Sequence, residues 1–441
     1  MSKRKKLQRR NSNPDFRARN NLPAPSIEEI ERRLGAALTP SSFVAAQHRM
    51  SELQMRQRVL TLPVMVAIVL SLVWRRIPYL SELLRVLEKE GLFDLAPVKV
   101  TKQALSQRLQ AMPAELFVLI FNEAQAKINR EETKEVVLAK ELQAVRRDFT
   151  NCYVADGSTL EALRKQLKGL TEEAPTALGG KMMGVLDLFT RRATRTWYTE
   201  DAAANDKSFG DQMLDFIEAG SVTVFDLGFF SFPFFDKFTD QQKYFVTRLR
   251  EKTAYQTVAV LSEGKLYRDE IIAMGRYRSN PCTHHVRLVS VLWGQTRYRY
   301  LTNVLDDQKL SARAVCALYR HRWRIEEAFL VTKRLLGLSY LWVGARNAVQ
   351  IQVYATWLFY AVLTNVCVEV AAALAQPIER ISQEMVFRSL YHYARALERG
   401  ENLSLVPFLV KDAKLFSLIK QERKRDREKA KQNLLVWSSL S

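Results

Sequence analysis

Three acidic residues stand where hard-cation chemistry would need them. Asp156 closes the apolar run "CYVA" and precedes Gly157, Ser158 and Thr159; Asp226 closes "SVTVF" and precedes Leu227, Gly228 and Phe229. Glu326 lies in a helical stretch, "ALYRHRWRIEEAFLVTKRLLG", residues 317–337. Strand ends at a sheet edge are where open α/β folds gather ligands. Two aspartates there and a helix glutamate make an oxygen-only set, which suits Mg²⁺ or Mn²⁺. Two such ions about 3.5 to 4 Å apart can activate a water or a 3'-hydroxyl and stabilise the leaving oxygen of a phosphodiester. Each residue also has a plainer reading: Asp156 as a cap, Asp226 as a turn, Glu326 as a surface partner of Arg322. Glu327 turns about 100° away from Glu326 on a helix.

Spacing adds a second feature. Tyr319, Arg322, Glu326 and Lys333 are three, four and seven residues apart, which on a helix places them within an arc of about 60°. A tyrosine, two cations and a carboxylate in one row suit a phosphate backbone with a metal ion held against it. Leu318, Ile325 and residues 328–330 supply the apolar surface by which the helix would dock.

Composition narrows the partners. The 441 residues are 47% hydrophobic, enough for packed cores in more than one domain. A formal charge of +20 favours a polyanion, nucleic acid before an anionic membrane. Cys152, Cys282, Cys316 and Cys367 lack the spacing of a disulfide framework or zinc site, which indicates a reducing interior. "PCTHH" around Cys282 reads as loop residues. The apolar stretch 62–74 is too short to span a bilayer, and 351–375 carries Gln352, Asn365 and Glu369, which points to a buried helix. The basic N-terminus reads either as a DNA-touching arm or as a solubilising tail.

The elements around these residues change along the chain. From Ser26 to about Arg146 the periodicity is helical. There "YLSELLRVLEKEG" and "TKQALSQRLQAMP" form two helices, the second opened by Thr101 with Lys102, Gln103, Gln107 and Arg108 outside. These read as a helix-turn-helix or as two members of an all-α bundle. Short strands follow: one ending on Asp156, a hairpin in 181–200, one ending on Asp226, and "KYFVTRLR". A strand-rich tract from Glu251 to Gln308 then reads as an insertion in a mixed α/β layer that resumes at Leu310. "FFSFPFFDKF", 229–238, reads as an interior loop packed on the sheet. The charge run "KQERKRDREKAKQ" is a solvated helix or tail, with auxiliary nucleic-acid contact as the other reading.

The Tyr319, Arg322, Glu326, Lys333 pattern resembles the signature of the insertion sequence 4 (IS4) family of bacterial transposases, and "DGST" and "DLGF" resemble the contexts of that family's first two catalytic aspartates. The resemblance covers roughly Val154 to Ala375. It implies an α/β fold: a ribonuclease H-like catalytic core interrupted by a β-strand-rich insertion and preceded by an all-α N-terminal DNA-binding region. The corresponding boundaries are a basic arm at 1–25, helices at 26–146, core at 147–250, insertion at 251–308, core again at 309–400 and a basic tail at 401–441. It implies a DDE triad of Asp156, Asp226 and Glu326 holding Mg²⁺, with Mn²⁺ as substitute, and Tyr319, Arg322 and Lys333 on terminal phosphates. Cleavage would free a 3'-hydroxyl, pass through a hairpin and join the element to target DNA. Partners would be double-stranded DNA, both terminal repeats and target, and a second copy in a synaptic dimer, without a membrane, in the bacterial cytoplasm at the nucleoid. Trp293 would stack a flipped base or fill the core, and Trp323 would pack or touch a base. A structure-specific nuclease would share the triad without strand transfer; an inert DNA-binding regulator would not need it.

Overall fold

The computed structural model describes residues 24–421, apart from 56–57, 78, 94, 131–137, 139, 161–178, 276–278, 339–340 and 344. Most of the expected basic arm, 1–23, and residues 422–441, which include all of the charge run after Gln421, lie outside the described residues.

Helices come first: α1 (Glu28–Ala37), α2 (Pro40–Glu52), α3 (Leu62–Trp74), α4 (Leu80–Lys89), α5 (Lys102–Ala111), α6 (Ala114–Arg130) and α7 (Lys140–Asp148). Thr101 caps α5 through the Ala104 amide at 3.1 Å. Residues 90–101 separate α4 from α5, whereas the turn of a helix-turn-helix takes about three or four residues. Strands β1 (Cys152–Thr159), β2 (Lys181–Asp187) and β3 (Ala193–Thr199) follow. Next come α8 (Gly210–Phe216), β4 (Val222–Phe225), α9 (Phe232–Asp240) and β5 (Tyr244–Arg248). Then β6 (Tyr255–Glu263), β7 (Tyr267–Met274), β8 (Val286–Trp293) and β9 (Thr296–Thr302) complete the strands.

The nine strands among the described residues belong to one sheet in the order β3-β2-β1-β4-β5-β9-β8-β7-β6. The first three form an antiparallel meander, β4 and β5 run parallel to β1, and β9 pairs antiparallel with β5. The strand-rich tract therefore continues the sheet from β5 instead of standing beside it. Gly294, at φ +61°, makes the turn between β8 and β9.

Alternation along the strands feeds two cores. Cys152, Val154, Val222, Val224 and Val246 face a helical layer, while Tyr153, Ala155, Phe225 and Phe245 face a phenylalanine cluster. The run 229–238, expected as a loop, is helix α9 over most of its length. Pro233 sits in its first turn, and Phe232, Phe234, Phe235 and Phe238 all bury their rings. Phe225 contacts five of these rings or their neighbours, with centroids 5.6 to 6.4 Å away.

The helical layer is organised by α12 (Arg346–Ala373), reached after α10 (Ala312–His321) and α11 (Trp323–Leu330). By length and composition α12 could cross a membrane, but its most apolar window is 83% buried inside the protein. Its polar residues are satisfied there: Gln352 accepts from the Trp342 amide, Asn365 from Arg192 at 3.1 Å, and Glu369 pairs with Arg33 at 2.6 Å. Helices α13 (Gln383–Glu398) and α14 (Leu405–Lys411) close the described chain. The expected tail thus begins later than residue 401, because Leu405, Phe408, Leu409 and Leu418 are buried and Ile419 bridges Ile381.

One close approach seats this layer. A Cβ on Gly184 of β2 would lie 3.0 Å from the Trp357 ring of α12 and 3.3 Å from Ile325 Cδ1 of α11. Gly184→Ala therefore forces Trp357 and Ile325 to give by a few tenths of an ångström. We expect a loss of about 1–3 kcal/mol, read from the urea midpoint; an unchanged midpoint would mean that Trp357 relaxes without cost.

Candidate metal centre

Parallel pairing decides where the first two aspartates meet. β1 and β4 align Val154 with Val224 and Ala155 with Phe225. Asp156 and Asp226 are the next residue on each chain and continue the Val154 and Val224 face by alternation. β1 does not end at Asp156, as the sequence suggested: it runs on to Thr159 beside β2, with Asp156 opposite Gly184. Only the β4 side closes, because Asp226 turns the chain into a short 3-10 helix and caps it, Oδ1 accepting from the Gly228 amide at 2.6 Å. Asp156 Oδ1 accepts from the Gly157 amide at 2.9 Å. The turn expected at Asp226 is thus present, whereas Asp156 lies within a continuing strand, and each contact occupies one carboxylate oxygen.

The stretch 317–337 is not one continuous α-helix. Ser311 caps α10 through the Ala314 amide, the chain tightens at Arg322 between α10 and α11, and Val331–Leu335 widens into a π turn. The row is redistributed accordingly. Arg322 Nη1 donates to Asp156 Oδ2 at 2.7 Å and to Glu326 Oε1 at 3.3 Å. Lys333 Nζ donates to Ser158 Oγ at 2.6 Å and to the Thr159 carbonyl at 2.7 Å. The Tyr319 ring lies 5.1 Å from that of Tyr300, and burial pushes its hydroxyl pKa up against the opposing charges of Arg322 and Arg248. Glu327 turns away and accepts from Arg324 at 2.9 Å.

Three carboxylates approach within 4.8 Å of one another, and the third is Asp206, not Glu326. Asp206 opens a 3-10 helix, Asp206–Phe209, that leads into α8. Its Oδ1 lies 2.6 Å from Lys181 Nζ. Glu326 stands at the edge, its side chain 43% exposed and tied to Asp156 through Arg322. Sequence reasoning missed Asp206, Lys181 and Arg248. Asp206 sits in a loop-like "AAANDKS" without a strand before it, so no local pattern marks it. Arg248 was legible: Tyr244, Val246 and Arg248 alternate in register with Val222, Val224 and Asp226.

Burial is the largest influence on Asp156. It pushes the carboxyl up to about 7, assisted by the charges of Asp226, Asp206 and Glu326 and opposed by the Arg322 guanidinium. An all-oxygen group of this kind fits a hard divalent cation, which would relieve that repulsion.

The remaining sequence-predicted residues lie apart from this group. Trp293 is half-buried, 5.5 Å from Tyr298, which stacks on Tyr300, so two tyrosines separate it from Tyr319. Trp323 is 63% exposed at the start of α11. Lys102, Gln103 and Gln107 are exposed on α5, whereas Arg108 is half-buried and Nε donates to the Leu60 carbonyl at 3.2 Å.

Residues 148–361 match the family described as Transposase DDE domain. The protein named "Putative transposase y4zB" from Sinorhizobium fredii (strain NBRC 101917 / NGR234) is 28% identical over 203 residues, 43% of this chain and 54% of that relative. The chain thus spans about half the length of the relative it matches. The matched segment 148–361 contains Asp156, Asp206, Asp226 and Glu326. A piggyBac transposase synaptic complex with hairpin DNA aligns over 90% of this chain and 76% of its own, at 11% identity and a TM-score of 0.36, too loose a likeness to build on.

The raised Asp156 has a signed consequence. Between its ordinary 3.8 and about 7 the folded protein holds a proton that the unfolded chain has released, so stability falls as pH rises through that window. In EDTA, Asp156→Asn should flatten this part of the stability curve and melt higher than wild type at pH 8. A variant that melts lower there would show that the Arg322 pairing outweighs the burial.

Proposed function

We propose that this chain is a cut-and-paste DNA transposase of the insertion sequence 4 kind. The observation that carries the reading is the meeting of Asp156 and Asp226 at one sheet level beneath Arg322 and Glu326, inside the segment that matches a transposase DDE domain. The order β3-β2-β1-β4-β5, antiparallel then parallel, supports a ribonuclease H-like core. The strands from 255 to 302 act as its β-rich insertion, and the helices before β1 supply the DNA-binding region, with the exposed face of α5 as its contact surface.

Asp156, Asp226 and Glu326 would hold Mg²⁺, or Mn²⁺ in its place. Such a cation would lower the pKa of a water or a 3'-hydroxyl and stabilise the leaving oxygen. The chain's own cations do the rest. Arg322 and Lys333 point at the end of β1 and hold their carboxylate and hydroxyl partners until a terminal phosphate takes that place. Arg248 and Tyr319 extend this row towards β9, giving the strand a second phosphate contact. Hydrolysis at the element end, attack by the freed 3'-hydroxyl to form a hairpin, reopening and joining to target DNA would follow in a synaptic dimer, at the bacterial nucleoid.

The test uses labelled DNA carrying the sequences that flank the gene, with and without Mg²⁺ or Mn²⁺. Wild type should nick at a fixed boundary and yield hairpin or joined products. Glu326→Ala should lose cleavage by at least about a thousandfold while still binding the ends. Binding without metal-dependent nicking by wild type would reject the enzyme, and full cleavage by Glu326→Ala would reject the triad. Arg322→Ala and Lys333→Ala should weaken engagement and lower the salt slope by about one.

A further inference from the structure

Asp206 is the acidic residue that neither the motif nor the proposed triad includes. We infer that Asp206 is a third aspartate ligand of the metal centre, binding the divalent cation together with Asp156 and Asp226; this rests on the transposase reading. Three observations lead there. Ligand oxygens of the three aspartates lie within 4.8 Å of one another, a spacing from which Glu326 stands apart. The chain is cleared to admit this carboxylate: a Cβ on Gly157, next to Asp156, or on Gly228, two residues after Asp226, would come well under 3.0 Å of Asp206 oxygens. Neither glycine has the positive φ that would otherwise explain it. Finally, Asp206 Oδ1 is buried, and the Lys181 ammonium faces it as an ion pair at 2.6 Å without a well-directed hydrogen bond.

Lys181 explains how this carboxylate is tolerated without a metal ion. Its Nζ sits 2.6 Å from Oδ1 and donates to the Ala204 carbonyl at 2.8 Å, so a fixed monovalent cation stands beside the three aspartates. A divalent ion would compete with that ammonium for the same oxygen. Asp206 reaches the centre from the segment between β3 and α8, so it ties a third stretch of chain to the ends of β1 and β4.

The experiment measures Mn²⁺ binding to the full chain by the spin-resonance signal of free Mn²⁺, with thermal melting and DNA-end binding as controls. Asp206→Asn should weaken Mn²⁺ at least about tenfold and leave end binding intact. Lys181→Met, which removes the competing cation, should bind Mn²⁺ as tightly as wild type or more so. Wild-type affinity in Asp206→Asn overturns the assignment, as does a Lys181→Met that loses affinity equally, because Asp206 would then serve only to anchor Lys181. If Asp206→Asn fails to fold, Asp206→Ser is titrated with the same expectation. The two readings fail separately. A wild type that neither binds Mn²⁺ nor nicks DNA sinks the transposase, whereas an Asp206→Asn indistinguishable from a wild type that does both sinks only this ligand.

Discussion

Two carboxyl groups held side by side on a parallel strand pair are the constraint around which this protein is built. Register alone brings Asp156 and Asp226 together, and burial makes their repulsion expensive. The surroundings compensate with cations that arrive from different elements: Arg322 from the junction of α10 and α11, and Lys181 from the first residue of β2. Each needs its own support. Arg322 depends on α11 lying flat on β1 and β2, which Gly184 permits by leaving room for Ile325 and Trp357. The long buried helix α12, whose composition alone resembles a membrane span, meets α11 where the Trp357 ring stands edge-on to Phe329 at 5.9 Å.

The other face of the sheet supplies stiffness. Phe225 immediately precedes Asp226, and its ring is enclosed by Phe229, Phe234, Phe235, Phe238 and Phe245. Aromatic packing of this density leaves few alternative rotamers, so the backbone from which Asp226 turns away has little freedom. A functional side chain at the end of a strand gains precision from such packing behind it. The phenylalanine run after Asp226, which has no chemistry of its own, therefore serves the chemistry beside it.

The continuation of the sheet past β5 has a comparable effect. Arg248 follows the Tyr244 and Val246 face and pairs across β9 with Tyr300, on which Tyr319 rests. A cation and a tyrosine from two distant parts of the sequence are thus set beside Asp226 by strand pairing. The strands between 255 and 302 do more than decorate the domain, since they hold one flank of the cationic row.

By itself the sequence determined the elements and several of the chemical groups. Alternation marked β1, β4 and β5 and put Asp156 and Asp226 at strand positions open to ligands, while helical spacing aligned Tyr319, Arg322, Glu326 and Lys333. Those are local properties, carried by periods of two and 3.6 residues. What only the tertiary structure decided is which groups meet. The tightening at Arg322 and the π turn at Val331–Leu335 sent Arg322 to Asp156 and Lys333 to Ser158, and no periodicity announces either irregularity. The role of 229–238 changed from loop to helix because Phe225 and Phe245 offered its rings a shared core. Asp206 was beyond reach for the same reason: its position depends on space left by Gly157 and Gly228, and a vacancy between three distant segments has no signature in any one of them.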